Sequence, residues 1–421
     1  MDFSLTPVQQ QWVDKCRALS AEFTKRARAY DEKAAFPVEN FKKLIDQNFH
    51  LLQVPKEYGG LNPEPAGNLG MTQFLIVEEL ARSCPTTSWD LVIHYHQCGV
   101  IARLGSHEQK KRIFRDVVEK QALTGSMGSE VNPTQFQQKN VKTHLTYDAL
   151  FRPVEGGFLA TGSKHFCSMG PVSGILSFWA LAPGAKANGD GIVYCVVPKD
   201  APGLTFEDTW NDVIGLRGTV SWSAHLKDVF IPWENVLGNP GDFVQHDPYT
   251  YECSHTAHLI GAAQGLFDYV VYFCKERDYL KSDDVLMYML AEMDTAIQAA
   301  RYSHYFAIWL WEQHRFEEAG LASIRALHTT KKVSLEMGSK AFDICGTRAL
   351  FKFHPIERFW REIRASSLHT RDTQLMKLLV DGIFTDGRQF PKLKYGQKLN
   401  ESVTWEKLGI SRPDIKKEMV A

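Results

Sequence analysis

A chain of 421 residues with 44% hydrophobic content is long enough for two or three domains sharing a substantial core, and its composition is that of an ordinary soluble globular protein. Its 48 Lys and Arg stand against 49 Asp and Glu, a net charge of −1, so there is no broad basic field for nucleic acid or for an anionic membrane. Eight cysteines are scattered without a CxxC pair or metal-ligand spacing, which fits small core residues kept as reduced thiols. The opening MDFSLTPVQQQWVDKC has early acids and no apolar signal core, and no later run approaches the roughly 18–20 residues of a membrane span. The expectation is a cytoplasmic protein with no metal, no nucleic acid and no membrane among its partners.

Up to about residue 120 the pattern is helical. Val8, Trp12, Cys16 and Leu19 recur at helical spacing, and FKKLIDQNF and MTQFLIVEELARSC repeat the period. The segment PKEYGGL at 55–61 interrupts them as a turn, since proline fixes φ and paired glycines permit conformations that other residues resist. From about 121 to 240 the texture becomes short β-rich runs divided by glycine and proline, among them GFLATGSKHFCSM, ILSFWALAP and GIVYCVVPK, which predicts a middle β-barrel domain. From 241 to 390 long helical periods return, with Gly261, Ala262, Ala263 and Gly265 small enough for close helix contact, and a four-helix bundle is expected. Residues 391–421, rich in lysine, are expected to form a tail. The fold class is α+β multidomain.

In PIERFWREIRASSLHTRDTQLMKLLV (355–380), Arg358, Arg361 and Arg364 fall three residues apart, while Ile356, Phe359, Ile363 and Leu368 are spaced to meet a core. This stretch resembles the C-terminal helices of the acyl-CoA dehydrogenase superfamily. The punctuation agrees in order: PKEYGG at 55–60, VEELA at 77–81, GFLATGSK at 157–164, and GLRGT running into DVFIPWENVLG between 215 and 238. The resemblance covers roughly residues 1 to 385 and implies the fold above, an N-terminal helical domain, a middle β domain and a C-terminal bundle. In the dehydrogenases a catalytic glutamate follows the arginine-rich run. Here Thr370 takes that position with His369 beside it, a pattern closer to the two-component flavin-dependent monooxygenases of the same superfamily, the branch of dibenzothiophene monooxygenase and p-hydroxyphenylacetate hydroxylase.

The resemblance implies which residues face the flavin. The loop LTGSMGSE (123–130) matches the segment that covers the ring, with Ser129 where the family has threonine; its glycines are expected to let backbone amides approach the flavin, and Ser126 to contact it. KHFCSMG (164–170) matches the segment in which an aromatic covers the flavin and a hydroxyl reaches N5, giving Phe166 and Ser168 those roles. Hydroxyls at strand ends also cap backbone, and that reading stays open for Ser126. His94 and His96 lie in the otherwise apolar SWDLVIHYHQCGVIARLG, where one of them at least is expected to face inward. The monooxygenases place a histidine or tyrosine of this helix in the substrate pocket, so His96 and His369 are expected to flank the substrate, with Trp89, Tyr95, Phe136 and Trp222 as apolar walls. A neutral imidazole could there take a substrate proton near its ordinary pKa of about 6.5.

The dehydrogenase grip on the adenosine end of FAD survives only as Arg277 and Gly346. Arg277, Arg348 and Arg364 are candidates for phosphate contacts, each also open to an ordinary surface salt bridge. Together with the lack of a GxGxxG after a strand, this implies an exchangeable reduced flavin, FMNH2 or FADH2, delivered by a separate NAD(P)H–flavin reductase. The activity implied is that of the oxygenase component, using O2 through a flavin C4a-hydroperoxide to oxygenate a small aromatic, sulfur or amine substrate, in a homotetramer. The alternative is an FAD-dependent acyl-CoA dehydrogenase or desaturase whose base is Glu252, next to Tyr251 at the position where some members carry it. A non-catalytic scaffold is a third class, against which Ser168 and the glycine loops argue.

Overall fold

The computed structural model describes residues 4–62, 70–130, 150–183, 191–243, 250–370, 372–385 and 404–411. Five helices come first: α1 (Pro7–Lys33), α2 (Val38–Asp46), α3 (Met71–Ser83), α4 (Pro85–Leu104) and α5 (His107–Glu119). Thr6 and Gln9 close a capping box at the start of α1 with Pro7 at its first position, the T-P-x-Q order that satisfies orphan N–H groups without needing the one proline lacks. Strands β1 (Thr124–Met127), β2 (Leu150–Val154), β3 (Gly157–Cys167), β4 (Ile175–Leu181), β5 (Ile192–Pro198), β6 (Leu204–Glu207), β7 (Trp222–Pro232) and β8 (Val236–Leu237) follow. The chain returns to helix in α6 (Thr250–Lys275), the short α7 (Asp278–Lys281), α8 (Asp284–Glu312), α9 (Phe316–Cys345), α10 (Ile356–Ser367) and α11 (Asp372–Phe384).

The two helical regions share one hydrophobic core, to which α1, α3, α4, α6, α8, α9 and α10 all contribute. Small residues set the closest approach. A Cβ on Gly261 would lie 2.1 Å from the Glu78 carbonyl oxygen and one on Gly265 2.2 Å from that of Arg82, so α6 rests on α3 at backbone contact. The arginine-rich α10 is pinned by ion pairs. Arg358 is buried against Glu362 at 3.0 Å, while Arg361 reaches Asp31 of α1 at 2.6 Å and the Ile214 carbonyl oxygen at 2.7 Å.

The strands form one sheet in the order β6-β7-β3-β2-β4-β5-β8, with β1 added in parallel to β4. This corrects the expected barrel. Two antiparallel halves are joined by a single parallel pair, Leu150 with Leu181, and among the described residues the terminal strands β6 and β8 do not pair. The reason is length and covering: β8 has only two residues, both spent on β5. In place of closing strands, Trp405 fills one face of the sheet, 1% exposed, with ring centroids 5.4 Å from Phe158 and 5.2 Å from Trp233. The expected tail therefore contributes core. Strand β5 is buried along Ile192–Val197 because one of its faces joins Trp405's cluster and the other packs on α4 and α5. Burial on both faces is what the unbroken apolar run IVYCVV encodes.

Trp405→Ala removes the largest wholly buried side chain from a site bounded by rigid strands, so it is expected to cost about 3–5 kcal/mol in urea unfolding. An unchanged midpoint would mean that segment 404–411 does not pack on the sheet.

Candidate active site

The seam between sheet and helices is built around the end of β3. Register shifts between Ala160 and Gly162 and between Lys164 and Cys167 break the β3–β7 ladder, and the second releases His165 and Phe166 from pairing. Phe166 turns into the left-handed region at φ 57° with its ring 55% exposed, supported edge-on by Trp210 at 5.8 Å. Met169, at φ 60°, is buried in the helical core. Between them Ser168 is buried at 8% exposure, and its hydroxyl lies 2.8 Å from that of Ser221, which lies 2.7 Å from that of Thr219.

Loop 123–130 is strapped to this turn from behind. Lys164, fully buried on β3, donates to Glu130 at 2.6 Å and to the Trp179 carbonyl oxygen at 2.7 Å; burial lowers its pKa while Glu130 opposes that shift. Ser126 is half-buried and its N–H donates to the Ser168 carbonyl oxygen at 3.3 Å; Ser129 is exposed and bridges His165 at 2.8 Å. The glycines of this loop sit in tight packing. A Cβ on Gly128 would fall 1.9 Å from the Trp179 ring and one on Gly125 2.5 Å from Ser173 Oγ, so both are required by packing within the sheet domain.

Helix α4 supplies the other wall. His94 is a structural residue: the Thr124 N–H donates to its Nδ1 at 3.0 Å, so Nε2 carries the hydrogen and donates to the His50 carbonyl oxygen at 2.8 Å. Burial holds its pKa down at about 4. Two residues on, His96 is half-buried and lines a narrow polar pocket with Gln73, Arg103 and Ser254, accepting at Nδ1 from Gln97 at 3.3 Å. Trp89 forms the apolar wall. His255 of α6 stacks on it at 4.8 Å and 10°, and His258 and His369 meet it edge-on at 5.0 and 5.3 Å. The rings of His255 and His369 are 4.3 Å apart. His258 is fixed by Ser366, 2.8 Å from Nε2.

His369 follows the end of α10 with an exposed edge, and desolvation by the protein around its ring, with His96 and Lys331 adding to it, brings its pKa down to about 4. Burial is also the first cause for His255, held well below its usual value with help from His369, and for His258, at about 3. At neutral pH all three are uncharged. Lys331 stands behind them on α9, donating to the Thr370 carbonyl oxygen at 2.6 Å and to Asp372 at 2.5 Å. Trp89 and His369 meet, and His96 is near enough to act on His369 electrostatically; His255, His258 and Lys331 went unrecognised in the sequence analysis. The three-residue spacing of His255 and His258 in an apolar helix was the available signal.

Other expected residues lie elsewhere. Arg277 donates to the Phe273 carbonyl oxygen at 2.8 Å and covers that residue's ring at 3.5 Å; Arg348 is exposed, and both influence His354 rather than the histidine pocket. Arg364 is half-buried near Ser367 at 3.4 Å. Tyr95 donates to the Phe49 carbonyl oxygen at 2.9 Å within the core, and Trp222 pairs with Cys167 at the start of β7. Glu252 is buried in the first turn of α6, one turn before His255. Phe136 and the Tyr251 side chain lie outside the described residues. No helix of the described residues is long and apolar enough to cross a membrane, and no group of three or more His, Cys, Asp or Glu among them could hold a metal ion.

The sheet and histidine halves are joined through α4. Thr86 donates to Glu362 of α10 at 2.9 Å and crowds Gly218, the neighbour of Thr219, while Trp89 follows one turn later. Helices, an open sheet and a helical bundle meeting at such a pocket define a class. The acyl-CoA dehydrogenase N-terminal domain matches residues 6–121 and the acyl-CoA dehydrogenase C-terminal domain residues 253–372. The chain belongs to the acyl-CoA dehydrogenase superfamily, whose members are flavin-dependent oxidoreductases. It is 26% identical to the short-chain specific acyl-CoA dehydrogenase of Clostridium acetobutylicum, over 91% of this chain and 99% of that one. It is 25% identical to the dibenzothiophene monooxygenase of Rhodococcus erythropolis, over 81% and 84%. The FMN-bound structure of TdsC from Paenibacillus sp. A11-2 superposes with a TM-score of 0.78 at 20% identity, over 89% of this chain and 98% of that one.

With a pKa of about 4, the His369 ring is expected to keep its neutral imidazole shifts in histidine-selective NMR from pH 8 down to about 5. A titration between pH 6 and 7 would mean that the surrounding protein does not desolvate the ring.

Proposed function

We propose that the chain is the oxygenase component of a two-component flavin-dependent monooxygenase. In this reading it takes FMNH2 or FADH2 from a separate NAD(P)H–flavin reductase, uses O2 as co-substrate, and oxygenates a small aromatic, sulfur or amine substrate as a homotetramer. The observation that carries it is the neutral histidine cluster on Trp89, at a position where a dehydrogenase of this superfamily has a glutamate and this chain has His369 and Thr370. Identity to named relatives is nearly equal for both branches, and the acid–base groups are what support this reading.

The residues present fit a flavin. An aromatic ring left exposed on a strained turn, with a buried hydroxyl two residues on, makes a flat support at the seam; Phe166 and Ser168 would hold the ring, with Ser126 and Ser129 at its margin. A reduced flavin bound there supplies the electrons that let dioxygen give one oxygen atom to the substrate. The protein's own part is acid–base and steric. His369 and His96, uncharged in the case of His369, would accept a proton from a phenol, amine or similar group, and Trp89 with His255 would pack against the substrate and keep water out. Arg277 and Arg348 are assigned to a flavin phosphate of a neighbouring copy, since they stand apart from this copy's pocket.

One observation favours a second reading. Glu252 is buried within a turn of His255, where the base of an acyl-CoA dehydrogenase or desaturase could stand. Incorporation of label from ¹⁸O₂ into aromatic, thioether and amine substrates separates the two. With reduced FMN or FAD supplied, His369→Ala and Ser168→Ala are expected to lower labelled product about 100-fold, the scale of a lost general base, and Glu252→Gln to leave it within a few-fold. Flavin bleaching by an acyl-CoA that Glu252→Gln abolishes, with no labelled product from any substrate, would establish the dehydrogenase instead.

A further inference from the structure

Behind Ser168 stands a hydroxyl chain that the proposed reading does not use. Ser168 Oγ is 2.8 Å from Ser221 Oγ, Ser221 Oγ is 2.7 Å from Thr219 Oγ1, and Thr219 Oγ1 is 2.9 Å from the Leu216 carbonyl oxygen. All three side chains are buried. A carbonyl oxygen only accepts, so Thr219 donates to it and presents its own oxygen to Ser221, which in turn presents its oxygen to Ser168. In this polarity every hydroxyl proton has a protein acceptor, and the Ser168 proton points away from the seam. Reversing the chain would forfeit the Thr219–Leu216 bond. The ordered polarity is the better satisfied one, and successive hydroxyls polarise each other in its favour. Ser168 is thereby left with its oxygen, an acceptor, for whatever lies against the turn.

That asymmetry discriminates between oxidation states. The N5 of an oxidised flavin is an acceptor with no hydrogen, whereas N5 of a reduced flavin carries one. An acceptor oxygen is matched to the second and mismatched to the first. We propose that Thr219 and Ser221 are positioning residues that fix Ser168 as a hydrogen-bond acceptor and so make the site selective for reduced over oxidised flavin. The inference rests on the reading in which Ser168 meets flavin N5. It gives an oxygenase component a means of taking up reduced flavin from a reductase and letting the oxidised product go.

The test is equilibrium binding of FMN and FAD in both redox states, oxidised by flavin fluorescence and reduced by anaerobic titration, together with the two-electron potential of the bound flavin. The full chain should bind reduced flavin more tightly. Thr219→Val, which keeps the shape and removes the anchoring donor, and Ser221→Ala should each lower the reduced-to-oxidised affinity ratio by about five- to tenfold, the value of one hydrogen bond, and make the potential of the bound flavin correspondingly more negative. Neither should change the ratio further in a Ser168→Ala background, because the chain acts through that serine. A packing defect would weaken both redox states alike and leave the ratio where it was. An unchanged ratio in both variants, or an equal loss with Ser168 already absent, overturns the proposal. Labelled oxygenation by a protein with an unchanged ratio would sink this inference alone, and absence of flavin binding in either state would sink the oxygenase reading with it.

Discussion

The constraint on which the rest depends is that α4 has almost no solvent face. Its residues are buried nearly throughout from Pro85 to Ala102, yet it carries threonines, a serine, histidines, a tyrosine and a glutamine, and each buried polar group needs a partner. Those partners come from every side: Glu362 for Thr86, Asn40 for Thr87, the Val77 carbonyl oxygen for Ser88, Thr124 and the His50 carbonyl oxygen for His94, the Phe49 carbonyl oxygen for Tyr95, and Tyr194 for Gln97. Together they tie α4 to the Phe49–Leu51 turn and to α2, α3, β1, β5 and α10. Rotating or sliding the helix would strand several at once, at about 1–3 kcal/mol for each buried group left unsatisfied. Asp90 is the exception. Neither of its carboxylate oxygens has a partner among the described residues, and burial alone raises its pKa well above the usual carboxylate range.

A helix locked in this way can present Trp89 and His96 at fixed positions, and that makes the histidine cluster sustainable. Two charged imidazoles 4.3 Å apart, as His255 and His369 stand, would repel in an enclosed site. Desolvation removes the conflict by keeping both uncharged, and the stacked Trp89 face supplies contact area that does not depend on charge. The cluster that results is rich in uncharged imidazole nitrogens.

Much of the fold was legible because burial leaves a periodic trace. The helical spacing at Trp12 and Cys16, the small residues at 261–265 and the double-faced run at 192–197 each correspond to a packing surface in the structure. What escaped were relations that no local pattern encodes. The sheet stays open because β8 is short and Trp405 covers a face, a contact between residues some 170 or more apart in sequence. Gly125 and Gly128 carry a glycine-loop signature, but the space they leave is filled by Ser173 and Trp179. His96 and His369 were singled out through resemblance. His255 was not, because a histidine in an apolar helix has the same local sequence whether it meets a pocket or a core, and only the position of Trp89 across the seam decides which.

Four of the nine non-glycine residues in the left-handed region among the described residues gather at the same seam. Four non-glycine residues in the left-handed region, Phe166, Met169, Leu216 and Val220, bracket the hydroxyl chain of Ser168, Ser221 and Thr219. Such conformations cost on the order of 1 kcal/mol or more each, most for a β-branched residue such as Val220, and persist only where the surroundings over-determine them. Here the surroundings do so: Met169 and Leu216 are buried in the core formed by the helices, and the Met169 N–H donates to the Thr219 carbonyl oxygen at 3.0 Å. The helical core thus grips both turns from one side while the sheet holds them from the other. Relaxing either turn to ordinary backbone angles would swing Ser168 and Thr219 apart. The strain therefore accompanies two turns that join three buried hydroxyls in one chain and leave the Phe166 ring exposed beside them.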